Sequence, residues 1–338
     1  MVKNVADFFL EREQEYLSPY AFRTADTRGR LSPCEPSECR TEFQRDRDRI
    51  LHSKSFRRLM HKTQVFFSPE EEHYRTRMTH TLEVTQIARI IARALRLNED
   101  LTEAAALGHD LGHTPFGHAG EKAMQRCFSE DFTHYAQSLR VVDRLEHDGR
   151  GLNLTFEVRD GIVNHTGKNM ASTLEGVIVK YADRIAYVNH DIDDACRAGI
   201  LSFEDIPREV STLLGETHSK RINTLVTSVV MASENSSTIR MTEDVDRAFN
   251  VLRDFMYERV YTSPIAKAEE EKAVELLCRL YDYYVEHPEK MPKLYIDNIP
   301  EDGVTRSVCD FISGMTDRYA IELYRELFIP KVWRKPIV

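Results

Sequence analysis

Five side chains able to bind a metal or move a proton fall within thirteen residues of one another. They are His109, Asp110, His113, His118 and Glu121, in the stretch AAALGHDLGHTPFGHAGE from Ala104 to Glu121. His109 and Asp110 end an alanine-rich stripe, where polar groups are costly to bury without partners. Neutral imidazole nitrogens and carboxylate oxygens together suit one divalent cation: Mn, Mg, Fe, Co, Ni or Zn. His80, at the inner end of the pattern THTLEVTQIARIIARALRL, and Asp183, on a later polar stripe, complete a set of two nitrogens and two oxygens. Four such ligands leave an octahedral ion with positions for water and a substrate oxygen. His113 and His118 exceed what that ion needs, and suit phosphate oxygens or proton transfer. Glu121, one helical turn after His118, is placed to orient that imidazole and raise its basicity.

The elements that must carry these residues read as helices. Val84, Ile87, Ile91 and Ala94 recur at helical spacing, with His80 four residues before Val84. A second helix is expected from about Asp100, read as its N-cap, with Leu101, Ala105 and His109 on one stripe. Gly112 and Pro115 break it, and a new helix begins near His118. Ser172 and Glu175, in STLE, read as a capping box. It opens a helix with Ile178, Tyr181, Ile185, Val188, Ile192 and Ala195 inward and Asp183, Tyr187, Asp191 and Asp194 on a polar stripe. Further helices are expected near 219–234, 242–261, 266–287 and 304–327, after an irregular lead-in at 19–40. No stretch reads as a sheet.

Composition bounds the function. The chain has 338 residues, and its 14 Gly and 12 Pro favour long helices over a turn-rich β protein. No run of about 18 apolar residues predicts a membrane span, and MVKNVADFFLEREQEYL carries charges where a secretory signal would be apolar. A cytoplasmic protein without membrane partners is expected. A net charge of −9 argues against general nucleic-acid binding. Yet RTEFQRDRDRILHSKSFRRLMHK, from Arg40 to Lys62, holds eight Lys/Arg against three Asp/Glu and would suit a polyanion. Cys34, Cys39, Cys127, Cys196, Cys278 and Cys309 show no paired zinc spacing and read as free thiols.

The metal-binding pattern resembles the HD superfamily of phosphohydrolases, with its H…HD…D signature. More narrowly, FRRLMHKTQVF, RTRMTHTLEV, GHDLGHTPFGHAGE, YADRIAYVNHDIDDA and DFISGMTDRYA resemble the deoxyguanosine triphosphate triphosphohydrolase family. The resemblance implies an all-α HD-domain helical bundle with additional C-terminal helices. Residues 1–41 would form a lead-in, 42–200 the metal-dependent core, and 201–338 a helical region packed on it. It implies His80, His109, Asp110 and Asp183 as metal ligands and His118 with Glu121 as the catalytic pair. Arg77 and His113 would contact phosphate, with Arg184 as a nearby cation. Gln64 and Asp191 would hold the sugar 3′-hydroxyl, and Tyr187 would pack under C2′ and reject ribonucleotides.

The expected reaction is hydrolysis of a dNTP, foremost dGTP, to the deoxynucleoside and inorganic tripolyphosphate. A homo-oligomer is expected, with a nucleotide or single-stranded DNA as effector. Two other readings compete: a 5′-nucleotidase or phosphodiesterase using the same ion, and a nucleotide or single-stranded DNA sensor with little turnover. Production of tripolyphosphate separates the first from the expected reaction. Salt-sensitive DNA binding without turnover would mark the second.

Overall fold

Helix follows helix in the computed structural model, which describes residues 4–64, 75–261 and 264–331. Val65 and Phe66, the last residues of the FRRLMHKTQVF stretch, lie outside the described residues. α1 (Val5–Tyr16) is capped by Asn4 and precedes an irregular stretch. α2 (Glu42–Leu51), opened by a Thr41–Gln44 capping box, and α3 (Lys54–Arg58) lead to α4 (Arg77–Ala94), opened by Thr76 and Thr79. Then come α5 (Glu99–Gly108), α6 (Gly117–Cys127), α7 (His134–Arg140), α8 (Glu146–Gly149), α9 (Phe156–Val163) and the long α10 (Leu174–Arg197). After them run α11 (Arg208–Leu214), α12 (His218–Ser233) and α13 (Glu243–Met256), which ends in a π-helical turn, Tyr257–Tyr261. α14 (Pro264–Glu286), α15 (Lys293–Asp297), α16 (Ile299–Asp302), α17 (Val304–Ser313) and α18 (Asp317–Phe328) are the remaining helices among the described residues. Among the described residues there is no sheet; Arg30 with Thr155 and Thr63 with Thr76 form isolated bridges. The protein is all-α.

Three apolar clusters hold the helices. In the first, Val84, Ile87 and Ile91 of α4 meet Ile178, Ile185 and Ile192 of α10, with α12 and α13 behind them. The second joins α2, α5 and α9 through Phe43, Ile50, Leu101, Leu107, Val158 and Ile162. The third packs Ala119, Ala123 and Met124 of α6 against Leu277, Leu280, Val308 and Ile312 of the C-terminal helices. The helix bearing His118 and Glu121 therefore leans on the C-terminal part of the chain. α4, α5 and α10, each amphipathic, bring their polar positions to one place.

Local chemistry departs from the sequence reading at helix ends. Asn98, not Asp100, caps α5 by accepting from the Leu101 N–H at 3.2 Å, while Asp100 accepts from Gln44 Nε2 at 2.9 Å. Thr173, not Ser172, caps α10 through the Gly176 N–H, because Ser172 is drawn to Asp160 on α9. The expected helix at 304–327 is two helices. Thr316 caps α18 by accepting from the Tyr319 N–H, and the break lies at 314–316.

The expectation of six free thiols fails for one pair: Cys127 on α6 and Cys278 on α14 are joined in a disulfide, their Cα atoms 6.0 Å apart. Their 151-residue separation leaves no local spacing to read.

Buried and half-buried carboxylates fasten the irregular lead-in. Glu13 accepts from Thr24, Glu157 from Thr27 and Arg28, and Asp46 from Arg30 and Thr155. Glu175, turned inward rather than capping, accepts from the N–H groups of Phe22 and Asn98. Burial pushes its carboxyl up to about 7 against the pull of these donors. The folded protein therefore holds a proton that the unfolded chain would release. The contribution is complete below the ordinary carboxylate range and is lost as pH rises through about 7. E175Q should gain Tm relative to the parent as pH is raised from about 5 to about 8. Thermal melts showing a pH-independent difference would contradict this.

Candidate active site

His80 projects from the first turn of α4, His109 and Asp110 from the end of α5, and Asp183 from the middle of α10. Ligating atoms of His80, His109 and Asp110 lie within 4.8 Å of one another. Asp183 Oδ1 joins them, 3.1 Å from His80 Nε2 and 3.9 Å from His109 Nε2. Asp110 Oδ1 is 3.5 Å from His109 Nε2. Donors bonded to one ion at about 2.1 Å stand roughly this far apart. The tautomer of His109 is set: its Nδ1 donates to the Ala106 carbonyl at 2.7 Å, leaving Nε2 as a lone pair. That Nε2 is buried with no hydrogen-bond partner among the described residues. A divalent cation fits this donor set.

The charges agree with the geometry. Burial pushes the Asp110 carboxyl up, but His109, Arg77, His113 and His80 overcome it and hold the group well below the usual range. Burial acts likewise on Asp183, and His80 and His109 bring it to about 2. Both carboxylates are thus ionised in a helical interior, as cation ligands must be.

Beyond this set the sequence reading is extended. Glu121 Oε2 is 3.9 Å from His118 Nδ1, and His118 is largely exposed. The same carboxylate lies 3.1 Å from His134 Nδ1, and its other oxygen accepts the His134 backbone N–H at 3.1 Å. Glu121 therefore serves two imidazoles, not one. Burial pushes the Glu121 carboxyl up, but the His118 imidazole beside it and the hydrogen-bonded His134 hold it far below the usual range. His134 stacks on His113 at 4.4 Å with 16° between the rings. Burial, with Arg77 and His134 nearby, keeps His113 well below the usual imidazole range.

The rings form one file: His118, His113, His134, His165, His109, His80, His190 and His218, neighbours being 4.4–6.1 Å apart. Eight of the chain's thirteen histidines stand in it. His134, His165, His190 and His218 were not foreseen. Each sits alone in its segment, so only the excess of histidine over the needs of one motif hinted at them.

The remaining expected residues surround this file. Arg77 NH1 is 2.9 Å from Asp110 Oδ2, and its Nε donates to the Thr63 carbonyl. Gln64 Oε1 and Asp191 Oδ1 are buried acceptors without hydrogen-bond partners among the described residues. Asp191 Oδ2 accepts from Tyr261 OH, a residue brought in by the π-helical turn and missed in the sequence. Burial pushes Asp191 up to about 7, and pushes Tyr187, near Asp183, to about 12. Arg184 NH2 donates to Asn250 at 3.4 Å, and its guanidinium lies over Phe249. The basic run is largely committed internally. Arg45 meets Glu42, Arg47 meets Asp48, and Arg49 donates to the Leu152 and Asn153 carbonyls.

Close packing fixes the loop between α5 and α6. A Cβ on Gly112 would lie 2.1 Å from Ser138 N. Ser138 Oγ accepts the Gly112 N–H and donates to the His109 carbonyl. Gly117 has φ +55°, and a Cβ there would meet the Gln64 carbonyl at 2.7 Å. Lys62, buried, donates to the carbonyls of His113 and Ser313. Asp317 accepts from Thr63 N and Oγ1 through one oxygen and from Phe116 N through the other. The loop is held from both sides.

Residues 77–188 match the HD domain family and residues 239–326 the phosphohydrolase-associated domain family. A protein of Caldanaerobacter subterraneus subsp. tengcongensis named deoxyguanosinetriphosphate triphosphohydrolase-like is 53% identical over 323 residues, 96% of this chain and 95% of that one. Proteins of the same name from Desulfatibacillum aliphaticivorans (48%, covering 96% of this chain and 98% of that one) and Clostridium tetani (45%, covering 95% of each) are also similar. A crystal structure of a phosphohydrolase from Bacteroides thetaiotaomicron shares the fold, with TM-score 0.54 and 17% identity over 82% of this chain and 67% of that one. Among the described residues no helix is long and apolar enough to cross a membrane.

Loss of a donor should be felt directly at the cation. H109A and D183A should each weaken divalent-cation binding at this set by more than the roughly 10–100-fold typical for an outer-shell partner. Titration calorimetry with Mn²⁺ on folded variants tests this, and parent-like affinity would exclude the assignment.

Proposed function

The chain belongs to the HD-domain family of deoxyguanosinetriphosphate triphosphohydrolase-like proteins and is an HD-type phosphohydrolase; we propose that it converts a deoxynucleoside triphosphate, dGTP foremost, to the deoxynucleoside and inorganic tripolyphosphate. The observation that carries the reading is a pairing: the cation donor set, together with two buried acceptors, Gln64 Oε1 and Asp191 Oδ1, that have no hydrogen-bond partner among the described residues. Such acceptors suit the hydroxyl of a sugar, which brings a donor into a site that otherwise leaves them unpaired. A cation bound by His80, His109, Asp110 and Asp183 supplies Lewis acidity toward the α-phosphate and a source of activated water.

The chain's own residues do the rest. Arg77 and His113 take the phosphate oxygens, with Arg77 exchanging its Asp110 contact for substrate. Gln64 and Asp191 hold the 3′-hydroxyl, and Tyr187 packs beneath C2′. His118, steadied by Glu121, exchanges a proton with the attacking water or the departing 5′-oxygen. Arg184, held against α13, has no phosphate role in this reading.

H118A should retain the cation and lose kcat by roughly 10²–10⁴-fold. A rise in KM with unchanged kcat would make His118 a binding group instead. The central experiment incubates the protein with each of the four dNTPs and GTP, with and without Mn²⁺, and separates the products. Tripolyphosphate from dNTPs is expected; orthophosphate or a nucleoside monophosphate as first product would overturn the reaction. In the same assay Y187A should turn over GTP relative to dGTP better than the parent. Unchanged selectivity would remove Tyr187 from sugar discrimination.

A further inference from the structure

Lys62, the last residue of the basic run, reaches both residues proposed to hold phosphate. Its carbonyl accepts the Arg77 N–H at 2.9 Å, at the start of α4. Its ammonium donates to the His113 carbonyl and, at 2.9 Å, to the Ser313 carbonyl at the end of α17. The next peptide repeats the first link, since the Thr63 carbonyl accepts from Arg77 Nε at 3.3 Å. His113 is held at its other end as well. Its N–H donates to the Asp110 carbonyl at 3.1 Å, and its ring stacks on His134. Lys62 therefore fixes where Arg77 and His113 stand relative to each other.

The chemistry of the side chain exceeds what a strut requires. Lys62 is 2% exposed, and the two carbonyls that it bonds are neutral partners that an uncharged donor would satisfy. A buried ammonium is costly without an opposite charge to pair with. Burial, the largest influence, pushes its amine down to about 7; Arg58 and Arg77 push the same way, and Asp317 and Asp110 pull against them. A phosphate chain against Arg77 and His113 adds negative charge nearby and favours the protonated amine. His113 Nδ1, buried and without a hydrogen-bond partner among the described residues, is the atom left to meet a phosphate oxygen.

We propose that Lys62 is the positioning residue for the substrate's phosphate chain: through its carbonyl and its ammonium it sets the gap between Arg77 and His113, and its charge supports the anion that they hold. The proposal rests on the dNTP reading, and the test separates the two.

K62M and K62R are compared with the parent in dGTP hydrolysis, with Mn²⁺ kept in excess of all polyphosphate. Inorganic tripolyphosphate and deoxyguanosine serve as inhibitors, the one offering only the phosphate chain and the other only sugar and base. K62M, checked for folding by thermal melt, should raise KM and the tripolyphosphate inhibition constant by roughly 10–100-fold, as for loss of a hydrogen bond to a charged group. Its deoxyguanosine inhibition constant should not change. K62R, which keeps charge and donors, should recover most of the loss. K62Q takes the place of K62M should that variant not fold. A loss shared equally by both inhibitors marks a strut for the whole site and overturns the proposal, as does a K62R as impaired as K62M. A parent that releases no tripolyphosphate from any dNTP overturns the dNTP reading and this proposal with it. Release by the parent with parent-like inhibition in K62M overturns the role of Lys62 alone.

Discussion

A carboxylate kept charged in the middle of a helical bundle is the constraint around which this protein is arranged. Asp110 is 2% exposed. Uncompensated, such a charge would disfavour folding by several kcal/mol or take up a proton. Here it is ringed by Arg77, His80, His109 and His113, whose combined attraction exceeds the burial penalty. The neighbours come from three stretches of backbone: Arg77 and His80 from the first turn of α4, His109 from the end of α5, His113 from the loop beyond. The register of α4 against α5 and α10 thus has a chemical meaning. A slip of one helical turn would leave the carboxylate among aliphatic side chains.

How far the site was legible in the sequence follows from where its parts lie. His80, His109 and Asp110 stand at the ends of apolar stripes and Asp183 on a polar stripe of its own helix; periodicity predicts the helices that carry them, and the four residue types taken together mark the donor set. His134 and His165 carry no such mark. They sit at the start of α7 and just after α9, and they become neighbours of His113 and His109 only when α6, α7 and α9 close together. Tyr261 is of the same kind, reaching Asp191 across 70 residues. The missed caps have another cause. Ser172 and Asp100 are competent capping residues locally, but Asp160 and Gln44, distant in sequence, offer each a different partner.

The formal charge of −9 describes the chain poorly as a field around a substrate. Several of its acids are interior fasteners rather than surface charge: Asp46, Glu157 and Glu175 are each at most 1% exposed and accept from the irregular segments that they hold. In the basic run from Arg40 to Lys62, Arg40 and Arg47 meet Asp48 and Arg45 meets Glu42, while Arg49, Arg57 and Arg58 donate to backbone carbonyls. Once these internal pairs are set aside, the groups that matter for an anion are few and local.

The two oxygens of Asp317 receive N–H groups from two walls of the candidate site, Thr63 after α3 on one side and Phe116 in the α5–α6 loop on the other. This single residue opens the last helix among the described residues, far in sequence from the histidines. Trimming the chain ahead of it would untie both walls at once, although no ligand would be touched. Nor can the final helices of a relative be grafted on freely: a chimaera has to bring an acidic side chain to the same spot, or the pocket loses its shape.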